Sequence, residues 1–357
     1  MHLSNIMDVD ALAALVASGH ITRRSHGPYV LHNYTEKATF ERVWTPETRQ
    51  SRGIITSLDG EIIARPFDKF FNVDETPETS LAALLERGGP VEITEKLDGS
   101  MVAVWYHDHS WHTSTRGSFE SDQAIAAGKW LAACSFGWNS QLQEFTLLCE
   151  WCAPDNRIVL RYEQPECVLI GARHVATGTD LHYDALQWIG TLTGLRVAPH
   201  TTDNLPTLAA ARSTCVGVEG WVARWPDGFR VKVKTADYLR LHRLVSDFNA
   251  RRVRDVLLAA PEVWASYLSD LPEEFRAEAE SMAATMQRAA GERLSALQVA
   301  FERLAPLAVE GRKAYAMAVQ QEPSPDRAYL FALLDKRPIE QKVLAELDLA
   351  ALGFDLA

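Results

Sequence analysis

Lys96-Leu97-Asp98-Gly99-Ser100 is the stretch on which the reading of this chain turns. A strand-like run (Val91, Ile93, Glu95-Lys96) precedes it, and a second, Met101 to Tyr106, follows. An Asp-Gly pair between two β-type runs predicts a tight hairpin turn. The lysine then ends a strand at a sheet rim, where its amine can overhang a pocket. Alone, the pattern weighs little, because a lysine beside a turn is usually a solvated charge. Its ordered companions give it meaning.

Ser114-Thr115-Arg116-Gly117-Ser118 is a polar turn with one fixed cation. Thr146-Leu147-Leu148-Cys149-Glu150-Trp151 sets a carboxylate inside an apolar strand. Val218-Glu219-Gly220-Trp221-Val222-Ala223 sets a second carboxylate in another strand. Phe229-Arg230-Val231-Lys232-Val233-Lys234 alternates, which sends Lys232 and Lys234 to one face and the valines to the other. Singly, each has an ordinary reading: Glu150 as a rim residue, the lysine pair as the wet face of a strand.

As one ordered set they point to phosphate chemistry. A lysine amine that attacks the α-phosphate of a nucleotide forms a covalent phosphoramidate and divides one hard step into easier ones. The amine must first lose its proton. Lys232, Lys234 and partial burial are expected to lower the Lys96 pKa for that purpose. Fixed cations and a divalent metal stabilise the charge that spreads over the phosphate. Glu219 can hold hydrated Mg²⁺ through oxygen. Glu150 is suited to accept a hydrogen bond from a ribose hydroxyl.

The motifs resemble those of the covalent nucleotidyltransferases, the superfamily of ATP-dependent ligases and mRNA capping enzymes. Lys96-Leu97-Asp98-Gly99 is similar to the nucleophile motif, Glu150 to the third, Glu219-Gly220 to the fourth, and Lys232-Val233-Lys234 to the fifth. Within that superfamily the chain most resembles the phage-type RNA ligase 1 family. Arg52-Gly53-Ile54-Ile55, the run Arg65-Pro66-Phe67-Asp68-Lys69-Phe70-Phe71-Asn72 and the Arg116 turn carry this likeness, which covers roughly residues 30–240.

The resemblance implies an ATP-dependent RNA ligase that joins a 5′-phosphate to a 3′-hydroxyl through lysyl-AMP and RNA-adenylate. It implies ATP with Mg²⁺, or Mn²⁺ in its place, and RNA substrates such as cleaved tRNA, with an end-healing kinase/phosphatase as partner. Lys96, Lys232 and Lys234 would be catalytic. Arg52, Lys69, Glu95, Arg116, Glu150, Glu219 and Val222 would bind the nucleotide beside them. Arg52 and Lys69 would grip the β and γ phosphates, Val222 would pack on the adenine, and Glu219 would ligate the metal. One departure stands out. Cys167-Val168-Leu169-Ile170-Gly171-Ala172-Arg173-His174 has no aromatic residue where a base-stacking ring is expected, so that face of the base is unassigned.

Composition allows such a protein. The chain has 357 residues, 47% of them hydrophobic, enough for two domains. No apolar run reaches membrane-spanning length. Met1 to Gly19 reads as a helix capped by Asp8 and ended by Gly19, not as a signal peptide, so a cytoplasmic protein is expected. The five cysteines read as reduced core thiols. Cys149-x-x-Cys152 would point to opposite faces of a strand, which disfavours a shared metal. His107, His109 and His112 read as a polar turn between two strands rather than a zinc site. The net charge of −11 does not forbid a nucleic-acid partner, because the local field decides. Arg52, Arg65, Lys69, Lys96, Arg116, Lys232 and Lys234 are expected to converge in one cleft.

The predicted organisation is α+β: an antiparallel-sheet nucleotidyltransferase domain, 1–242, followed by an all-helical domain, 243–357. In the first, Ser121 to Cys134 and Asp184 to Leu195 read as helices. In the second, steps of three and four from Phe275 to Leu304 predict one long amphipathic helix. Pro261, Pro272, Pro306, Pro323, Pro325 and Pro338 are expected to divide the region into about six helical segments. From Arg243 onward there are fourteen basic and eighteen acidic residues, net −4. The preceding chain has 22 and 29, net −7. The tail is therefore no basic arm; it reads as a compact helical module serving either stability or oligomerisation or, on the sharper reading, substrate selection. DNA ligases and capping enzymes usually continue into a β-barrel, which helices here disfavour. The alternatives are a non-catalytic RNA- or nucleotide-binding protein and, though disfavoured, one of those other covalent nucleotidyltransferases.

Overall fold

Among the described residues, three four-stranded sheets build the first of two units into which the chain divides, Met1–Leu239 and Arg240–Ala357. The computed structural model describes residues 1–90, 92–134, 140–156, 158–271 and 273–354. Val91 and Pro272, both used in the sequence reading, lie outside the described residues.

The first sheet is antiparallel and runs in chain order through β1 (Ile21–His26), β2 (Tyr29–Tyr34), β3 (Arg52–Ser57) and β4 (Ile62–Ala64). The next strands are β5 (Phe71–Asn72), β6 (Glu92–Lys96), β7 (Ser100–His107) and β8 (Ser110–Thr115). They are followed by β9 (Phe145–Cys152), β10 (Glu166–His174), β11 (Gly220–Arg224) and β12 (Arg230–Lys234). The second sheet has the order β10-β9-β7-β8 and the third β5-β12-β11-β6. Pairing is antiparallel throughout except between β5 and β12. The α+β class expected from the sequence is the class observed.

The Asp98-Gly99 turn is not a hairpin. β6 pairs with β11, and β7 pairs with β8 and β9, so the segment crosses from the third sheet to the second. The physical reason lies in the cores that each strand serves. Ile93 packs with Ala223, Val231 and Val233, whereas Val102 and Val104 pack with Leu147 and Cys149. Neither Asp98 nor Gly99 takes the positive φ that a two-residue hairpin needs. Asp108 (φ 47°) and His109 (φ 60°) do, and they close the β7–β8 hairpin at the histidine cluster.

The helices of this unit follow their caps. Asp8 accepts from the N–H groups of Asp10 and Ala11 at the head of Val9–Ala17. Ser121 caps Asp122–Ala133, and left-handed Gly194 ends Tyr183–Thr193. These two helices pack on one face of the second sheet, where Val102, Val104, Leu147 and Cys149 meet Leu131 and Ile189. Its other face sends Ala103, Trp105 and Leu148 against Leu31 and Ile55 of the first sheet. Cys149, Cys152 and Cys167 are buried. Cys134 and Cys215 are only half-buried and so depart from the core placement expected of all five, because they sit at a helix end and in a loop.

The second unit is helical. Ala250–Leu257, Pro261–Asp270, Arg312–Val319, Ser324–Leu334 and Glu340–Ala345 accompany one long helix, Glu273–Glu310. Its stripe of Ala279, Met286, Ala290 and Leu297 is buried among Val253, Tyr267 and Val343. Pro306 does not break this helix as expected. Proline there forfeits a backbone hydrogen bond. However, the apolar stripe continues past it, with Leu304, Leu307 and Ala308 packed around Tyr315, Val319 and Leu330. No helix among the described residues is long and apolar enough to cross a membrane.

Candidate functional site

The third sheet presents its polar face through simple parity. Lys96, Gly220 and Lys234 stand in one cross-strand row, and Thr94, Val222 and Lys232 in the next. All six positions share one face of the sheet. Ile93, Ala223, Val231 and Val233 hold the opposite face in the core. Gly220 has φ +142°, and a Cβ there would collide with the Val233 carbonyl oxygen. The side-chain gap between the two lysines is therefore obligatory.

Glu219 fills that gap from the residue before β11, one position outside the strand predicted to carry it. It is 2% exposed. Its Oε1 lies 2.8 Å from Lys96 Nζ and 2.9 Å from Lys234 Nζ. Its Oε2 is buried without a hydrogen-bond partner. One carboxylate thus bridges two lysines and keeps one oxygen unspent.

This geometry reverses the expected pKa shift of Lys96. Burial alone would push the ammonium down, but Glu219, Glu150 and Asp98 outweigh it and hold the group above the ordinary lysine value. The amine pushed well down is instead Lys232, by burial and by its neighbours Lys69, Arg52, Lys96 and Lys234. Lys232 lacks the carboxylate that Lys96 and Lys234 share. Burial likewise pushes the Glu150 carboxyl up to about 7, against the pull of Lys96. Glu150 Oε1 accepts the Gly99 N–H at 3.2 Å.

Asp98 anchors the crossover. It is 1% exposed. Its Oδ2 accepts the N–H groups of Val159 (2.7 Å) and Leu160 (2.6 Å). Its Oδ1 accepts the Tyr238 hydroxyl at 2.7 Å, and its own N–H donates to the Tyr162 hydroxyl at 2.9 Å. Gly99 must be glycine, because a Cβ would strike the Trp151 carbonyl oxygen.

Around this centre lies a cavity of about 530 Å³. Of the residues singled out from the sequence, Arg52, Glu95, Lys96, Arg116, Glu150, Val222 and Lys232 line it. Glu95 has the opposite parity to Lys96 in β6, so its side chain leaves from the other face of the sheet. Arg52 comes from β3, and its Nη1 donates to the Phe67 carbonyl (3.3 Å) and reaches Met101 Sδ (3.2 Å). Arg116 lies over the Tyr34 ring, 4.6 Å from its centroid.

Lys69 lines a neighbouring cavity of about 500 Å³, which shares Phe70, Arg224 and Arg230 with the first. Burial lowers its pKa, and its Nζ sits over Phe71 (4.9 Å) and Trp44 (5.1 Å). Arg65 lines neither cavity and packs beside Gly178. The convergence of cations is therefore incomplete.

The sequence reading missed the apolar walls. Phe67, Phe70, Met101 and Ile170 line the first cavity, Ile170 from the strand that lacks an aromatic residue. It also missed Tyr162 and Tyr238 as anchors of Asp98. No spacing rule connects residues so far apart in sequence. Alternation could have flagged Ile170, which breaks β10 at a register shift before Gly171.

Comparison with known proteins bears on this site. A sequence model of a family described as RNA ligase matches residues 50–239. RNA ligase 1 of Bacteriophage TS2126 is 27% identical over 227 residues, 57% of this chain and 54% of that protein. A protein of Thermovibrio ammonificans is 29% identical over 224 residues, 60% of this chain and 57% of that protein. The chain spans about half the length of the curated relatives it matches. A solved structure of Naegleria gruberi RNA ligase with PPi is 17% identical and aligns with a TM-score of 0.39, covering 49% of this chain and 57% of that one.

Proposed function

The chain belongs to the RNA ligase family, and from that premise we propose that it is an ATP-dependent RNA ligase working through a lysyl-AMP intermediate. The observation that carries this reading is Lys96, a lysine on the wall of a cation-lined cavity, hydrogen-bonded to a buried carboxylate.

Lys96 Nζ attacks the α-phosphorus of ATP. The N–P bond forms, the bond to the bridging oxygen breaks, and pyrophosphate leaves with the electron pair. The amine must give up a proton, and Glu219 Oε1 at 2.8 Å is the nearest acceptor. Lys232 and Lys234 stabilise phosphate charge at fixed positions, without reorganisation during the step. Arg52 and Lys69 hold the leaving phosphates. Val222 packs on the base, with Ile170 and Phe70 as further apolar wall. AMP then passes to the 5′-phosphate of RNA, and a 3′-hydroxyl displaces it to seal the strand.

Mg²⁺ or Mn²⁺ fits the donor set at one point, the unpartnered Glu219 Oε2, with phosphate oxygens and water completing a hard-cation shell. The ion would neutralise phosphate charge and loosen the hold of Glu219 on Lys96. The helical unit selects among structured RNAs such as cleaved tRNA, and an end-healing kinase/phosphatase supplies the required ends. The chain acts in the cytoplasm.

The test is incubation with α-labelled ATP followed by a denaturing gel. A covalent AMP band supports the enzyme. Labelling by GTP instead points to capping chemistry. A second reading, a nucleotide- or RNA-binding protein without turnover, draws on the raised Lys96 pKa. It predicts ATP or RNA binding with no band under any metal.

A further inference from the structure

A band of aromatic rings runs outward from the joint between the first and second sheets, and the reaction described above does not use it. Trp105 and Tyr29 are its buried base, 1% and 8% exposed, in edge contact at 4.9 Å between centroids. His112 stacks on Trp105 at 4.4 Å and 18°. Phe119 contacts both Tyr29 and Trp105 from the turn after β8. His26, the last residue of β1, stacks on Phe119 at 5.4 Å and 29°, and its side chain is 51% exposed. The stack therefore ends in an imidazole with an open face.

A cation borders the same end. β1 is an edge strand; its exposed Arg24 shares the face of His26 and Tyr29, whereas Arg23 leaves from the opposite face beside His32. Among the described residues Arg24 is in no ion pair. Glu120, exposed and 3.8 Å from His26, is the one carboxylate at the outer ring. The strip is continuous with the cavity. Thr115, Arg116 and Gly117 line the cavity wall, the Thr115 N–H bonds the Ser118 carbonyl at 2.9 Å, and Phe119 follows directly.

A stacking surface beside an unpaired cation suits a flexible polyanion with exposed bases. A duplex hides its base faces, and a peptide supplies no repeated phosphate. We propose that the β1 edge and the Phe119 turn form a docking strip for single-stranded RNA entering the cavity. A base continues the His26–Phe119 stack, and Arg24 holds a flanking phosphate. The proposal rests on the RNA ligase reading, but its test does not require sealing.

Binding of a fluorescent single-stranded RNA 12-mer to the full chain is followed by anisotropy at several salt concentrations, with an RNA duplex and an acidic peptide as competitors. Arg24→Gln should weaken binding several-fold and reduce the salt slope by about 0.7, as expected for one lost phosphate contact on a single strand, whereas Arg23→Gln, on the opposite face, should change neither. His26→Ala should weaken binding several-fold with the slope unchanged, because stacking releases no counterions. These sites are exposed, so the variants are expected to keep the wild-type unfolding temperature. Phe119→Leu, half-buried, serves as a second probe of the stack. Unchanged affinity in the Arg24 and His26 variants overturns the proposal, as does equal competition by duplex or peptide. If wild-type protein gives no AMP band yet these two variants lose RNA affinity, the ligase reading fails and the strip stands. If the band forms and the affinities do not move, the strip fails alone.

Discussion

Lys96, Glu219 and Lys234 are a single electrostatic object, so substitutions there separate roles rather than merely reduce activity. Lys96→Ala is expected to abolish AMP labelling and to spare sealing of RNA that already carries a 5′-adenylate. Sealing lost together with labelling would assign Lys96 to a later step as well. Glu219→Gln should lower adenylylation by about 100-fold or more, the usual effect of removing one preorganised charge. Glu150 offers a test of stability. Its carboxyl titrates near 7 in the folded chain against 4.5 for an ordinary glutamate, so between those values only the folded state holds the proton. Stability must then fall as pH rises through this window. Denaturant unfolding should show the advantage of Glu150→Gln over wild type growing by up to about 2 kcal/mol from about pH 5.5 to about 7.5. The identity of these residues was legible in the sequence, because residue type at ordered spacing suggests chemistry. Their protonation was not. The reading placed cations around Lys96 and could not see that one carboxylate reaches it first, from the residue before a strand.

At the scale of elements, strand existence and face were readable and strand partnership was not. β12 alternates as predicted, with Val231 and Val233 at 0% exposure. β6 and β7 are strands as predicted, yet they belong to different sheets. Asp-Gly is a local signal, while pairing is decided by which distant strands share each core. The crossover that results is rigid, since Asp98 spends both carboxylate oxygens and its N–H on Val159, Leu160, Tyr238 and Tyr162. Gly99→Ala should cost about 1–3 kcal/mol in unfolding experiments, because the new Cβ meets a backbone oxygen that cannot rotate away. A neutral effect would mean that the crossover can shift. Pro306 teaches the converse. A breaker residue lost to a stripe of apolar side chains that continued beyond it.

For the whole molecule, the switch from alternation to helical period marked a second unit, and the contacts divide the chain at Leu239 and Arg240. The helix Ala236–Ser246 spans that division, and its Tyr238 belongs to the Asp98 anchor. A chain cut before Tyr238 would lose the anchor. Ending the chain after Ser246 should retain AMP labelling while losing preference for a nicked stem-loop over an unstructured strand, since reading shape needs a second surface. The ratio of the two sealing rates, full-length against shortened, is the measurement. An unchanged ratio leaves the helical unit a structural part only. Nothing in the sequence could bring together a strip such as the proposed one, because it joins residues as separated as His26 and Phe119.

The carboxylate bridge between Lys96 and Lys234 also has a meaning for chemical ageing. Free amines are slowly consumed in cells by cyanate, reducing sugars and acyl donors, all of which require the unprotonated form. An amine held as an ammonium against Glu219 is shielded from such damage at neutral pH. Exposure of the resting protein to cyanate, followed by peptide mass spectrometry, should find Lys96 carbamylated more slowly than the surface lysine Lys313, and Glu219→Gln should remove that protection.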